Sequence, residues 1–142
     1  MAESRCIGTT PFLKEIGSLP PVGDIRGRGL FWTIEFVLDK KTKTALSPRY
    51  NFCSKVMTDA RGMGLNLLGN LGHTGEYHVD HVLVCPPYTT TDAKLEEIVS
   101  LLRAAILKTS ELFVHEEQLK QIWKNTVITK VTEIGLVATT SK

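Results

Sequence analysis

The stretch V-G-D-I-R-G-R-G-L-F-W-T-I-E-F-V, residues 22–37, decides how this chain is read. Gly23, Gly27 and Gly29 crowd its first half. Glycine is used where φ is positive or where backbones approach closely, so this half reads as a turn feeding a strand. From Leu30 the pattern has period two. Leu30, Trp32, Ile34, Phe36 and Leu38 point one way; Phe31, Thr33, Glu35 and Val37 point the other. One apolar face and one mixed face predict a strand buried on one side.

Upstream, residues 11–19 predict a short helix with Leu13, Ile16 and Leu19 on one side. Thr10 fits its N-cap and Pro11 its first position, and Pro20-Pro21 ends it. Residues 1–10 show no periodicity. Downstream, residues 39–49 form a polar connection carrying Lys40, Lys41 and Lys43. Ser47-Pro48 reads as a helix start. Phe52, Cys53, Val56, Met57 and Ala60 then form an amphipathic stripe, closed by Gly62 or Gly64. Residues 65–68 read as a short strand and residues 81–85 as an inner one, with a glycine-rich loop between them. Pro86-Pro87 terminates the inner strand. Thr91-Asp92 caps a further helix with Leu95, Ile98, Val99, Leu102 and Ile106 buried, extended by Phe113 and by Leu119, Ile122 and Trp123. Residues 126–140 alternate in a strand-like way without clear boundaries. The order of elements predicts an α/β (α+β) two-layer sandwich, a three- to four-stranded sheet with helices on one face.

Composition narrows the function. The chain has 142 residues, 42% hydrophobic and 23% charged, the range of a soluble globular protein. Lys and Arg number 17 against 15 Asp and Glu, a net charge of +2, and the basic residues are dispersed. That balance gives no reason to expect nucleic acid or an acidic membrane surface. Cys6, Cys53 and Cys85 are odd in number and far apart, so no disulfide framework follows. No apolar run approaches the roughly 20 residues of a membrane span. Arg5 and Glu3 precede no apolar segment, so no secretory signal is expected. The expected compartment is the cytoplasm, with the mitochondrion left open.

Candidate chemistry is sparse. G-R-G-L resembles part of a dinucleotide fingerprint, but a Rossmann turn follows a strand and opens a helix, whereas these glycines precede a strand. His73, His78, His81 and Cys85 are possible zinc ligands, yet the spacing H-x4-H-x2-H-x3-C matches no common site. His81 and Cys85 would lie about 13 Å apart along a strand. Cys85, at the end of an apolar strand, reads as an inert core cysteine. The residues alone thus describe a soluble α/β domain without its own catalytic set.

Two stretches resemble a known family. V-G-D-I-R-G-R-G-L-F-W-T-I-E-F-V-L-D-K-K-T-K is similar to the opening of the C-terminal small domain of class III pyridoxal-phosphate-dependent aminotransferases. D-H-V-L-V-C-P-P-Y-T-T-T-D-A-K-L-E-E-I-V, residues 80–99, resembles that family's D-H strand, its Pro-Pro stop and the helix that follows. The similarity covers about residues 13–113. It implies a small domain over residues 22–113, preceded by a segment at 1–21 with a short helix and followed by a helical extension with an undefined tail at 114–142. Within the motifs, Gly27, Gly29, Pro86 and Pro87 are the structural positions.

The resemblance also says what is lacking. In that family the cofactor lysine, the acid on the pyridine nitrogen and the phosphate cradle lie on the large domain. No lysine here has that sequence context. Pyridoxal phosphate is therefore implied for a full-length parent and not for this chain alone, and no catalytic, cofactor-binding or metal residue is assigned. The implied partners are the large domain or a homologous subunit, and a small amine substrate in the parent. Ornithine-type members carry an arginine in the strand ahead of the Pro-Pro pair, to clamp a carboxylate. Here Leu83 lies near that position, on the substrate-cleft side, and the loop at 69–79 has no Arg or Lys. That points to the ω-amino acid or amine branch. The expected function is the C-terminal part of a transaminase, inactive in isolation. The alternative is a stand-alone binding or interaction domain derived from one.

Overall fold

In the computed structural model, which describes residues 9–69 and 79–138, the glycine-rich half of the opening stretch is itself a strand. Strand β1 (Val22–Arg28) pairs antiparallel with β2 (Phe31–Asp39) across a tight turn at Gly29 and Leu30. The glycines that suggested a turn serve the pairing instead. Gly27 lies opposite Trp32, and a Cβ there would stand 2.2 Å from the Phe31 carbonyl oxygen and 2.9 Å from the Trp32 ring. Only a residue without a side chain lets the two strands close at this point. Gly29 has φ 61°, the left-handed turn geometry, and its carbonyl accepts the Trp32 indole N–H at 2.6 Å.

The register shifts between Val22 and Asp24, leaving Gly23 as an extra residue. A Cβ on Gly23 would fall 2.4 Å from Val37 Cγ1, so the Val37 side chain occupies the space that Gly23 leaves. This changes the expected faces of β2. Val37, assigned to the mixed face, is 3% exposed, while Leu38, assigned to the apolar face, is 54% exposed. A second irregularity, between Val37 and Asp39, accompanies pairing with β3 (Thr44–Ala45). The polar connection therefore holds a short strand. Its turn is set by Asp39, whose carboxylate accepts the Lys41 N–H and the Thr42 hydroxyl, both at 2.9 Å.

With β4 (Leu68–Gly69) and β5 (His81–Val84), the sheet is five-stranded and antiparallel, in order β1-β2-β5-β4 with β3 beside β2. That is one strand more than the upper expectation, because β1 had been read as a turn and β3 as loop. Strand β5 is inner, as its uniformly apolar sequence predicted.

Helices cover one face. In α1 (Thr9–Gly17), Leu13 and Ile16 are buried, and Gly17 approaches Ile25 of β1. The helix starts before Pro11 rather than at it. Ser47-Pro48 opens only a 3-10 turn, Pro48–Tyr50; Asn51, at φ 51°, then breaks the path, and α2 (Phe52–Gly62) begins afresh. Phe52 meets Phe36 of β2 edge to face, with ring centroids 5.1 Å apart. Cys53 is buried, and its thiol donates to the His81 carbonyl at 2.9 Å. The left-handed residue after α2 is Gly64, not Gly62.

Helix α3 (Asp92–Ala138) starts where Thr91 accepts the Lys94 N–H, and Asp92 sits in its first turn. Leu95, Val99, Leu102, Ala105, Ile106 and Thr109 form its buried side. The chain forms two compact units, Met1–Thr109 and Ser110–Lys142. The first contains the sheet and the site described below. The second holds the rest of α3, so the strand expected within residues 126–140 is helical as far as Ala138, and its last two residues lie outside the described residues. Trp123, Val127, Val131 and Ile134 recur at intervals of four and three, a helical period that the β-branched content obscured.

One polar clamp joins α2 to α3 inside the first unit. Asp59 accepts the Lys108 ammonium at 2.7 Å and the buried Thr109 hydroxyl at 2.8 Å. The Lys108 ammonium and then the Thr109 hydroxyl hold the Asp59 carboxyl below the usual carboxylate range, against the opposing push of its burial. A lowered folded-state value means stability that is present at neutral pH and is lost as pH falls through the folded value. Thermal unfolding followed between about pH 7 and pH 3 is expected to show Asp59→Asn less stable than wild type at the upper end, by about 1–2 kcal/mol. The gap between the two proteins should narrow as pH falls below the ordinary carboxylate range.

Candidate functional site

Strand β5 brings the two recognised motifs together. Its residues alternate: Val82 and Val84 are buried beneath the helices, while His81 and Leu83 take the opposite face. Register fixes the neighbours of Leu83. Thr33 of β2 lies on one side and Leu68 of β4 on the other, and Arg26 of β1 lies beyond Thr33. Leu83 is half-buried in this row across four strands. Two residues along, on the same face, Arg28 pairs with Phe31. Phe31 is 56% and Leu68 65% exposed, so this face presents apolar side chains to the outside.

The charged end of the face is self-compensated. Arg26 donates to Glu35 at 2.8 Å and to Asp24 at 3.0 Å. The Glu35 carboxylate, then that of Asp24, raises the Arg26 guanidinium above its ordinary value, so it remains a cation held in place. Asp24 also accepts the Ile25 N–H at 2.9 Å. The Arg28 guanidinium makes no hydrogen bond or ion pair among the described residues.

The other predicted positions are dispersed. Gly27 and Gly29 belong to the β1–β2 hairpin. Pro86 and Pro87 follow β5, and the Pro87 carbonyl accepts the Thr90 N–H at 3.0 Å in the turn that leads to α3. Cys85 is exposed just beyond β5, not in the core; the buried thiol is Cys53. The apolar run ends at Val84, and the prolines pull Cys85 out of the sheet. His81 Nδ1 lies 3.1 Å from the Val79 carbonyl oxygen. His73, His78 and most of the loop at 69–79 lie outside the described residues. Among the described residues no group of His, Cys, Asp and Glu is arranged to hold a metal. No helix of the described residues is long and apolar enough to cross a membrane. The contribution of Phe31 and Leu68 to the face was missed, although the mixed side of β2 already named Phe31.

Pyridoxal phosphate needs a lysine for a Schiff base in a desolvated pocket, an acid for the ring nitrogen and donors for the phosphate. The described lysines do not meet that need. Lys40 and Lys43 donate to the Gly17 and Gly23 carbonyls, Lys94 pairs with Glu97 at 2.8 Å, and Lys108 holds Asp59. Lys14 and Lys41 are exposed, and Lys55 lies half-buried on α2. Among the lysines whose side chains are described, none stands beside a carboxylate and a phosphate cradle together, so those residues do not fit the group.

The fold so described is a small antiparallel α/β domain with one helix-covered and one open sheet face. No protein-family model matches the chain. An uncharacterized aminotransferase of Schizosaccharomyces pombe is 39% identical over 92 residues, which is 65% of this chain and 20% of that protein. Among solved structures, an omega-transferase from Vibrio fluvialis JS17 superposes with a TM-score of 0.67 at 25% identity, over 78% of this chain and 24% of that one. A PLP-bound aminotransferase mutant from Vibrio fluvialis gives a TM-score of 0.66 at 27% identity, over 75% and 22%. Over about two thirds of its length the chain is similar to one part of proteins named aminotransferases. It spans about a fifth of the length of the curated relatives it matches.

Proposed function

We propose that this chain acts as the small domain of an aminotransferase that moves an amino group from an ω-amino acid or amine to a 2-oxo acid. On this reading pyridoxal phosphate is held by residues outside the matched fifth. The open sheet face is the side presented to the substrate cleft, and the chain alone carries no transamination.

The observation that carries the reading is Leu83. It occupies the centre of the open face, between Thr33 and Leu68. A leucine there offers apolar surface and no bidentate partner for a carboxylate. The nearest arginine in the same row, Arg26, is already engaged by Asp24 and Glu35. The omega-transferase similarity supports the same branch.

The test is substrate preference once the domain is joined to a cofactor-bearing large domain. Turnover of a simple ω-amine with pyruvate is expected to exceed turnover of ornithine by at least about tenfold, the scale set by one missing bidentate contact. Faster turnover of ornithine would overturn the assignment. Leu83→Arg in the same protein is expected to narrow the gap by improving KM for ornithine, whose carboxylate it can clamp.

A further inference from the structure

A cavity of about 370 Å³ opens on the helix-covered side of the sheet, between α1 and the β1–β2 hairpin, away from the open face that Leu83 occupies. Leu13, Val22, Ile25 and Trp32 line it, with Lys14 and Asp24 also at its boundary. Its volume falls at the small end of the range for ligand pockets. Such sites combine apolar walls with a few polar groups that fix orientation, and this one has both.

The charges in the lining are unequal. Both oxygens of Asp24 are engaged, one by the Ile25 N–H and the other by the Arg26 guanidinium that Glu35 shares. Lys14 makes no hydrogen bond or ion pair among the described residues. Lys14 is therefore the cation of the lining whose charge no described residue answers. An apolar slot with a cationic lining selects an amphipathic anion.

We infer that this cavity is a binding site for a small carboxylate with an aromatic or branched apolar tail, the tail against Trp32 and Ile25 and the carboxylate at Lys14. The site is separate from the substrate-side face and does not depend on the transaminase reading.

The test uses the full chain and two probes, 3-phenylpropionate and its neutral amide, followed by the Trp32 indole N–H resonance. The resonance is expected to shift saturably with both. The carboxylate should bind about three- to fivefold tighter than the amide, the range for a solvent-exposed ion pair. Lys14→Met should erase that preference while leaving amide binding in place. Gly17→Leu should block both probes: a Cβ on Gly17 would make only an ordinary 3.6 Å contact with Ile25, so a side chain fits at the lining without strain and fills the space. The inference fails if neither probe shifts the resonance saturably, if Lys14→Met keeps the preference, or if Gly17→Leu binds as wild type does.

Discussion

Gly27→Val is expected to be the most destabilising surface-strand substitution in this chain. Gly27 is exposed, and an exposed strand position ordinarily welcomes valine. Here the added Cβ would meet backbone: 2.2 Å from the Phe31 oxygen and 2.7 Å from Trp32 Cα. Those atoms belong to the paired strand and cannot step aside as a flexible side chain would. The β1–β2 pairing must open or shift its register. The cost is put at about 3 kcal/mol or more. For a unit of this size that lowers the thermal midpoint by about 10–20 °C in a circular-dichroism melt. Gly29→Ala provides the contrast. Its φ of 61° penalises any side chain, yet nothing lies within 4 Å of the added atom. A loss of only about 1 kcal/mol is expected there. Equal melting of Gly27→Val and wild type would show that the strands do not approach as described.

Phe52→Ala is the second large effect. Phe52 and Phe36 are each 1% exposed and meet at 5.1 Å with their planes 65° apart. This contact fastens α2 to the central strand β2. Removing the ring takes away its transfer energy, leaves a cavity and ends the edge-to-face contact. A loss of about 3–5 kcal/mol is expected by urea denaturation, a large share of the roughly 5–15 kcal/mol that holds an ordinary domain folded. Phe52→Leu keeps most of the volume and should cost about 1–2 kcal/mol. If Phe52→Ala matched Phe52→Leu, the helix would not be anchored through this ring.

Much of this fold was legible because period and punctuation agreed. The apolar run of β5 ending at Pro86, the cap at Thr91 and the buried stripe of α3 all followed from local chemistry. What escaped was set by contacts across the sheet. Glycine content argued for a turn at residues 22–29, and only the Phe31 carbonyl on the partner strand explains why Gly27 sits within a strand instead. Val37 and Leu38 exchanged roles because an unpaired Gly23 on another strand opened room for one of them. Cys85 left the core because the prolines after it end the ladder one residue early. Asn51 separated Pro48 from the helix it was expected to start, a break with no apolar periodicity to announce it. At the open face, the motifs pointed to Leu83. Its row with Arg26, Thr33 and Leu68 depends on register between distant strands, which no single stretch encodes.

On the proposed reading this chain supplies a small domain, and the chemistry of pyridoxal phosphate resides on residues outside the matched fifth. The direct test is to mix the purified chain with pyridoxal phosphate, reduce with borohydride and measure its mass. The predicted result is an unchanged mass, with no reduced adduct at stoichiometric yield. A stable adduct on one lysine, at one equivalent per chain, would contradict the account.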